Sequence, residues 1–135
     1  MTPLAAGLLD TSVFIATEAA RPLAELPARV AVSVVTIGEL QLGVLAATGT
    51  ETRSRRADTL ALARAADPLP ISEAIMVAWA HLVMDCRAAG IHRAVRLTDT
   101  LIAATAVEHG LPVVSQDEDF DAIARAHARL EVARV

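Results

Sequence analysis

Short apolar runs alternate along the chain with longer stretches that have the apolar spacing of α-helices. The runs are rich in Val, Leu and Ala and are too short for helices, so each predicts a buried β-strand. Strands joined by helical connections form parallel sheets with helices on both faces. The predicted strands cover residues 7–10, 30–35, 69–71, 112–115 and 130–135, and the predicted helices cover 12–20, 36–48, 51–66, 72–89, 98–109 and 119–127. We therefore expect a three-layer α/β/α fold.

The length and composition of the chain limit the remaining fold classes. Its 135 residues fit one domain, and 54% of them are hydrophobic, which is ample for a core. Cys86 is the only cysteine, which excludes an intrachain disulfide and a cysteine-based metal site. No apolar run approaches the roughly 18 residues of a membrane span, and the first residues lack the positive charge of a signal peptide. We expect a single domain over residues 1–135, located in the cytoplasm and not in a membrane.

Arginine supplies all 12 basic residues, because the chain contains no lysine. This absence excludes Schiff-base and P-loop chemistry, and also the lysine-dependent receiver and phosphatase sites. The net charge of −4 disfavours indiscriminate binding to nucleic acid. A local patch of arginines remains compatible with RNA binding.

Four carboxylates lie where predicted strands end or helices begin. Asp10 ends the first strand, Glu39 lies in the first turn of the helix after the second strand, Asp99 starts the helix that leads into residues 112–115, and Asp117 follows that strand. Because the carboxyl ends of parallel strands share one edge of the sheet, we expect these acids to meet in one pocket. Their mutual repulsion favours a bound divalent cation, and oxygen ligands without Cys or His favour Mg²⁺ or Mn²⁺.

Each acid also has a purely structural interpretation. Glu39 fits a capping box with the Thr three residues before it. Asp99 fits an N-cap or a first-turn acid stabilised by the helix dipole, and Asp117 and Asp119 fit turn or cap positions. Asp10 is the hardest to explain in this way, since a carboxylate at the end of a buried strand is costly unless it is satisfied.

Four segments carry a family resemblance. They read LLDTSVFI, VVTIGELQLGV, RLTDTLIAATA and VVSQDEDF. Together they closely resemble the PIN-domain ribonucleases, and in particular the VapC toxins of bacterial type II toxin–antitoxin pairs. The resemblance covers essentially the whole chain in the order of the family. It implies a Mg²⁺- or Mn²⁺-dependent endoribonuclease whose five-stranded parallel sheet has the order 3-2-1-4-5.

The same resemblance implies roles for individual residues. In order, the four acids of the family match Asp10, Glu39, Asp99 and Asp117. Asp10, Asp99 and Asp117 would hold the metal, while Glu39 would help to place a second ion or orient the attacking water. A metal-activated water would leave 5′-phosphate and 3′-hydroxyl ends on the RNA. Three neighbours could assist: Ser12 beside the first acid, Ser115 where the family often has Thr, and Asp119.

RNA phosphates need basic partners, which the acidic pocket cannot provide. The candidates are Arg53, Arg55 and Arg56 on the third helix, and Arg87, Arg93 and Arg96 around Gly90. Arg93 and Arg96 are favoured because they lie just before Asp99. The alternative is a solvated arginine face that keeps an alanine-rich protein soluble. The resemblance further implies a homodimer and a cognate VapB-type antitoxin, whose C-terminal segment would direct a basic side chain toward the acids.

Two other functions remain open at this point. One is a PIN-like scaffold that binds RNA or a partner without turnover. The other is a Mg²⁺-dependent phosphohydrolase. A haloacid-dehalogenase-like phosphatase requires Asp-x-Asp after the first strand and a later lysine, whereas here Thr11 and Ser12 follow Asp10. This departure makes the phosphohydrolase the weaker alternative.

Overall fold

The structure is a computed structural model that describes residues 4–135. The predicted domain also includes residues 1–3, which lie outside the described residues. Six helices and four strands make up this part of the chain. In order they are β1 (Ala6–Leu9), α1 (Thr11–Glu18), β2 (Arg29–Ala31), α2 (Val34–Ala46), α3 (Thr50–Arg64), α4 (Glu73–Ala88), α5 (Leu97–Glu108), β3 (Val113–Ser115), α6 (Asp121–Ala126) and β4 (Val132–Arg134).

The sheet has four parallel strands in the order β2-β1-β3-β4. The prediction of five strands is therefore corrected at residues 69–71, which form only a single parallel bridge between Leu69 and Ser33, just beyond β2. Pro68 and Pro70 flank Leu69, and neither has an N–H group to continue a ladder. The segment lies at the edge where the predicted third strand belongs, so the predicted order is otherwise retained.

The boundary between β2 and α2 also differs from the prediction. Val34 and Val35 were expected in a strand because they are β-branched, but both lie in the first turn of α2. Ser33 caps this helix, and its hydroxyl accepts a hydrogen bond of 3.0 Å from the Val35 N–H. A local cap thus outweighs strand propensity here. At the other end of the chain, α6 is shorter than the predicted helix over residues 119–127.

Two apolar clusters cover the two faces of the sheet. Leu8 and Val113 pack with α4, α5 and α6 on one face. Leu9 and Val114 pack with α1, α2 and α3 on the other. Adjacent strand residues point to opposite faces, which explains the alternation. The three-layer α/β/α architecture is confirmed. Within residues 4–135, no helix is both long enough and apolar enough to cross a bilayer.

Candidate active site

The site lies where the direction of strand addition reverses. From β1 the chain first adds β2 on one side and later adds β3 on the other. The carboxyl ends of β1 and β3 therefore flank a crevice, which is where open α/β sheets bind ligands. Asp10 directly follows β1 and caps α1, and Asp117 lies two residues beyond β3. The topology thus brings two acids together that are distant in sequence.

Two serine hydroxyl groups connect these acids. The Ser115 hydroxyl lies 3.2 Å from Asp10 Oδ2 and 3.2 Å from Asp117 Oδ1. The Ser12 hydroxyl lies 3.2 Å from that of Ser115, and it accepts a 3.0 Å hydrogen bond from the Gln116 N–H. The N-terminus of α1 and the end of β3 are thereby joined through side chains. Both serines were predicted as supporting residues, and the structure places both beside Asp10.

Burial disfavours the charged form of two of the acids. It raises the pKa of Asp10, and the nearby Asp117 carboxylate raises this pKa further, while hydrogen bonds from Ser12 oppose the rise. Burial also raises the pKa of Asp99 to about 6, against the opposing effect of Arg96 and with added repulsion from Asp10 and Asp119. The site therefore has a deficit of positive charge, which a cation would relieve.

Glu39 is held by groups outside its own helix turn. The Thr11 hydroxyl donates to Glu39 Oε1 at 2.7 Å and lies 3.0 Å from the hydroxyl of Thr36. Because α2 is capped by Ser33, Glu39 lies in the second helical turn and makes no capping box. Sequence reasoning missed the role of Thr11, although the residue stands inside the Asp-Thr-Ser segment already singled out.

Arg96 connects the remaining two acids. Its Nε donates to Asp99 Oδ2 at 3.3 Å, and its Nη2 lies 3.4 Å from Asp99 Oδ1 and 3.2 Å from Glu39 Oε2. Arg96 is also the N-cap residue of α5, so of the two structural interpretations of Asp99 the first-turn position is confirmed and the N-cap is wrong. The Arg96 side chain is 64% exposed, whereas that of Asp99 is 5% exposed.

Three of the four acids, Asp10, Glu39 and Asp117, line one open cavity of about 430 Å³, whereas Asp99 does not line it. Asp99 contacts Arg96, which lies on the cavity wall. Ile15, Leu40 and Leu42 give the cavity an apolar side. The polar side of the wall is formed by Asp10, Ser12, Glu39, Arg96, Asp117 and Asp119.

The predicted RNA-binding arginines differ in their surroundings. Arg93 is exposed. Arg53 donates to the Ala47 carbonyl at 3.0 Å, and Arg56 donates to the Gly43 carbonyl at 2.7 Å. These two guanidinium groups therefore tie α3 to the C-terminal part of α2, and Arg56 also borders the cavity. Of the candidates, Arg93 and Arg96 are closest in sequence to an acid of the site.

The donor chemistry fits a hard divalent cation. The side-chain oxygens lining the cavity come from carboxylates and hydroxyls, which are ligand types that Mg²⁺ and Mn²⁺ accept. In the side-chain arrangement of residues 4–135, no three Asp, Glu, His or Cys groups are close enough to enclose an ion. Arg96 supplies the positive charge between two of the carboxylates instead. A divalent cation that used oxygen atoms of Glu39 or Asp99 would compete with Arg96 for them.

A parallel sheet with acids at its switch point is the arrangement of a PIN domain, and the model of that family matches residues 7–126. The chain belongs to the PIN domain family. Within the family it is similar to VapC proteins. Ribonuclease VapC8 of Mycobacterium tuberculosis is 69% identical over 100 residues, which cover 74% of this chain and 89% of the relative. Ribonuclease VapC5 of the same organism is 46% identical over 136 residues, which cover 99% of this chain and 98% of the relative.

The fold comparison agrees with the sequence comparison. A crystal structure of VapBC-5, a member of the VapBC family of toxin–antitoxin systems from Mycobacterium tuberculosis, matches with a TM-score of 0.87 at 43% sequence identity. The match covers 97% of this chain and 99% of that chain. The chain is therefore placed among the VapC proteins of the PIN domain family.

Proposed function

We propose that this protein is an endoribonuclease that depends on Mg²⁺, or on Mn²⁺ in its place, and acts as the toxin of a type II toxin–antitoxin pair. The observation that carries the proposal is the set of carboxylates around one cavity at the switch point of a PIN fold. The similarity to Ribonuclease VapC8 and Ribonuclease VapC5 supports the reaction class. A scaffold without turnover would not need two buried acids with raised pKa values at this position.

In this proposal Asp10, Asp99 and Asp117 hold the metal directly or through water. A bound Mg²⁺ would lower the pKa of water and stabilise the oxygens that attack and leave the phosphorus. Glu39 orients the attacking water or helps to place a second ion, and Thr11 fixes the carboxylate of Glu39. Asp119 donates its backbone N–H to Asp117 at 3.1 Å, so we assign it to support of that acid. Cleavage leaves a 5′-phosphate and a 3′-hydroxyl.

RNA must reach this acidic cavity with help from positive charge. We assign that role first to Arg93 and Arg96, which flank the start of α5, and then to Arg53 and Arg56. Since the protein has few aromatic side chains, recognition depends on the RNA backbone and shape more than on base stacking.

We further propose a VapB-type antitoxin as the partner, because solved structures similar to this chain are of VapBC complexes. The apolar side of the cavity continues onto exposed Leu42, which would suit an apolar segment of such a partner. Exposed Met76, Val77 and Met84 on α4 support a homodimer. The proposed location is the cytoplasm.

The test compares the wild type with Asp10→Asn. The purified wild-type protein, freed of antitoxin, should cleave RNA when Mg²⁺ is added and stop when it is chelated. The activity of Asp10→Asn should be more than about 100-fold lower than that of the wild type. Even replacement of a residue that only supports a metal ligand lowers metal affinity or activity by about 10- to 100-fold. Sequencing of the RNA ends after induced expression should show 5′-phosphates at the cut sites.

Circular dichroism of Asp10→Asn is the control, and it should show an intact fold. Retained cleavage in this variant would show that the acid cluster is not needed for the reaction. Cleavage that persists in the presence of a chelator would show that the reaction does not need a metal ion.

A further inference from the structure

The inference concerns Arg96 and deepens the proposed function, on which it rests. Arg96 is the N-cap residue of α5, three positions before Asp99. Its guanidinium contacts both oxygens of Asp99 and one oxygen of Glu39. Asp99 lies in α5 and Glu39 in α2, and the contact between Arg96 and Glu39 joins residues 57 positions apart. One exposed side chain therefore joins an acid that lines the cavity, Glu39, to one that does not, Asp99.

Coulomb interactions explain why the guanidinium lies there. Asp99 is almost fully buried, and the charges of Asp10 and Asp119 repel its own. A planar cation with several N–H donors can satisfy two carboxylates at once. Without a metal ion, Arg96 is thus the counter-ion that the geometry provides for Asp99 and Glu39.

A divalent cation would need oxygen atoms of the same acids. An oxygen that donates its lone pairs to Mg²⁺ has a reduced capacity to accept from a guanidinium, and the two cations repel each other. The Arg96 side chain is 64% exposed, so water can solvate its guanidinium once the contacts break, although the two carboxylates are mostly buried. Glu39 would keep its hydrogen bond from Thr11 when Arg96 leaves.

We propose that Arg96 is a positioning residue that holds Glu39 and Asp99 together in the metal-free protein and gives up these contacts when a divalent cation binds. Metal binding then frees a guanidinium at the rim of the cavity, where an RNA phosphate would approach. The Arg96 guanidinium thus balances the charge of the acids before the metal binds. After the metal has bound, the same guanidinium is available to the substrate.

The experiment measures Mn²⁺ affinity by calorimetry on antitoxin-free, RNA-free protein at a pH of about 8, where carboxylates are ionised. Arg96→Gln removes the competing cation and should bind Mn²⁺ about 2- to 10-fold more tightly than the wild type. The same variant should melt at a lower temperature without metal, because Asp99 loses its counter-ion. If Arg96 had a merely structural role, its replacement would lower both the Mn²⁺ affinity and the melting temperature.

Arg93→Gln is the matched control. It removes the same charge from an exposed side chain three positions away, and Arg93 forms no ion pair within residues 4–135. Its Mn²⁺ affinity should stay within about two-fold of the wild type, since an exposed charge that pairs with no acid is screened by water and salt.

A direct signature comes from carbon-detected NMR of the arginine Nε and Cζ nuclei during a Mg²⁺ titration. The Arg96 signals, assigned by their absence in Arg96→Gln, should move as Mg²⁺ saturates the site. Unmoved signals at saturation, or a Mn²⁺ affinity in Arg96→Gln equal to or weaker than that of the wild type, would overturn the inference while leaving the nuclease proposal in place. If the wild type binds neither cation, both fail together.

Discussion

The hydroxyl of Thr11 has the shortest hydrogen bond to any of the four acids, at 2.7 Å from Glu39 Oε1. Thr11 is itself buried and also contacts the buried Thr36. A carboxylate held in this way loses little entropy when it orients a water molecule, which favours catalysis. In the proposed mechanism Thr11 is therefore a positioning residue that acts through Glu39.

Replacement of Thr11 by Val keeps the shape of the side chain and removes the hydroxyl. We expect RNA cleavage to fall roughly 10-fold and the free energy of unfolding to fall by about 1–2 kcal/mol, because Thr36 and Glu39 lose a buried partner. Thr11→Ser keeps the hydroxyl and should retain most of the activity. If Thr11→Val cleaves RNA at the wild-type rate, Glu39 does not depend on this contact.

At the scale of elements, the close approach of β1 to its neighbours requires a residue without a side chain. A Cβ atom at Gly7 would lie 2.5 Å from Val114 Cγ2 and 3.1 Å from Pro27 Cγ. Val114 belongs to β3, and its branched side chain has little freedom to move aside. Gly7 therefore sets the packing between β1 and β3, and through it the positions of Asp10 and Asp117.

Gly7→Ala should lower the free energy of unfolding by about 1–3 kcal/mol, as overpacking does in other cores. Chemical denaturation of the metal-free protein measures this. Gly38→Ala is the matched control, because Gly38 lies within α2 and a Cβ there would meet nothing within 4 Å. That control should gain about 0.5–1 kcal/mol from helix propensity. Equal stability of Gly7→Ala and the wild type would show that the strands can separate without cost.

At the scale of the whole molecule, the buried acids link stability to pH. The pKa of Asp99 is about 6 in the folded protein, above its ordinary value of 3.8, chiefly because of burial. The folded state therefore binds this proton more tightly than the unfolded state. The resulting stability is complete below the ordinary pKa and is lost as the pH rises through the folded pKa.

We expect metal-free wild type to lose stability relative to Asp99→Asn between pH values of about 4 and 7, by on the order of 2 kcal/mol. Mg²⁺ at neutral pH should restore stability to the wild type, because it binds the ionised acid in the folded state alone. Asp99→Asn should respond much less. Thermal melts over the pH series provide the measurement, and a difference that grows with pH in favour of the wild type would contradict the assignment.

Strand and helix patterns in the sequence predicted the three layers, because side-chain periodicity reflects burial directly. The helical connections between the strands predicted that the strands are parallel. They failed where local groups compete. The single bridge at Leu69 follows from two flanking prolines, and the early start of α2 follows from the Ser33 cap. Both effects act over a few residues and leave the hydrophobic pattern unchanged. A prediction based on that pattern therefore misses them.

The sequence alone determined which acids lie near strand ends, since that depends only on order along the chain. Only the tertiary structure decided what each acid contacts. The contact of Arg96 with Glu39 joins residues 57 positions apart, and the contact of Ser115 with Asp10 joins residues 105 positions apart. Such distances are set by strand order and helix packing, and the pKa values of the acids depend on the same burial. For this reason the acids and the two serines could be named as candidates from the chain, while the contact of Arg96 with two of the acids and the role of the Thr11 hydroxyl required the fold.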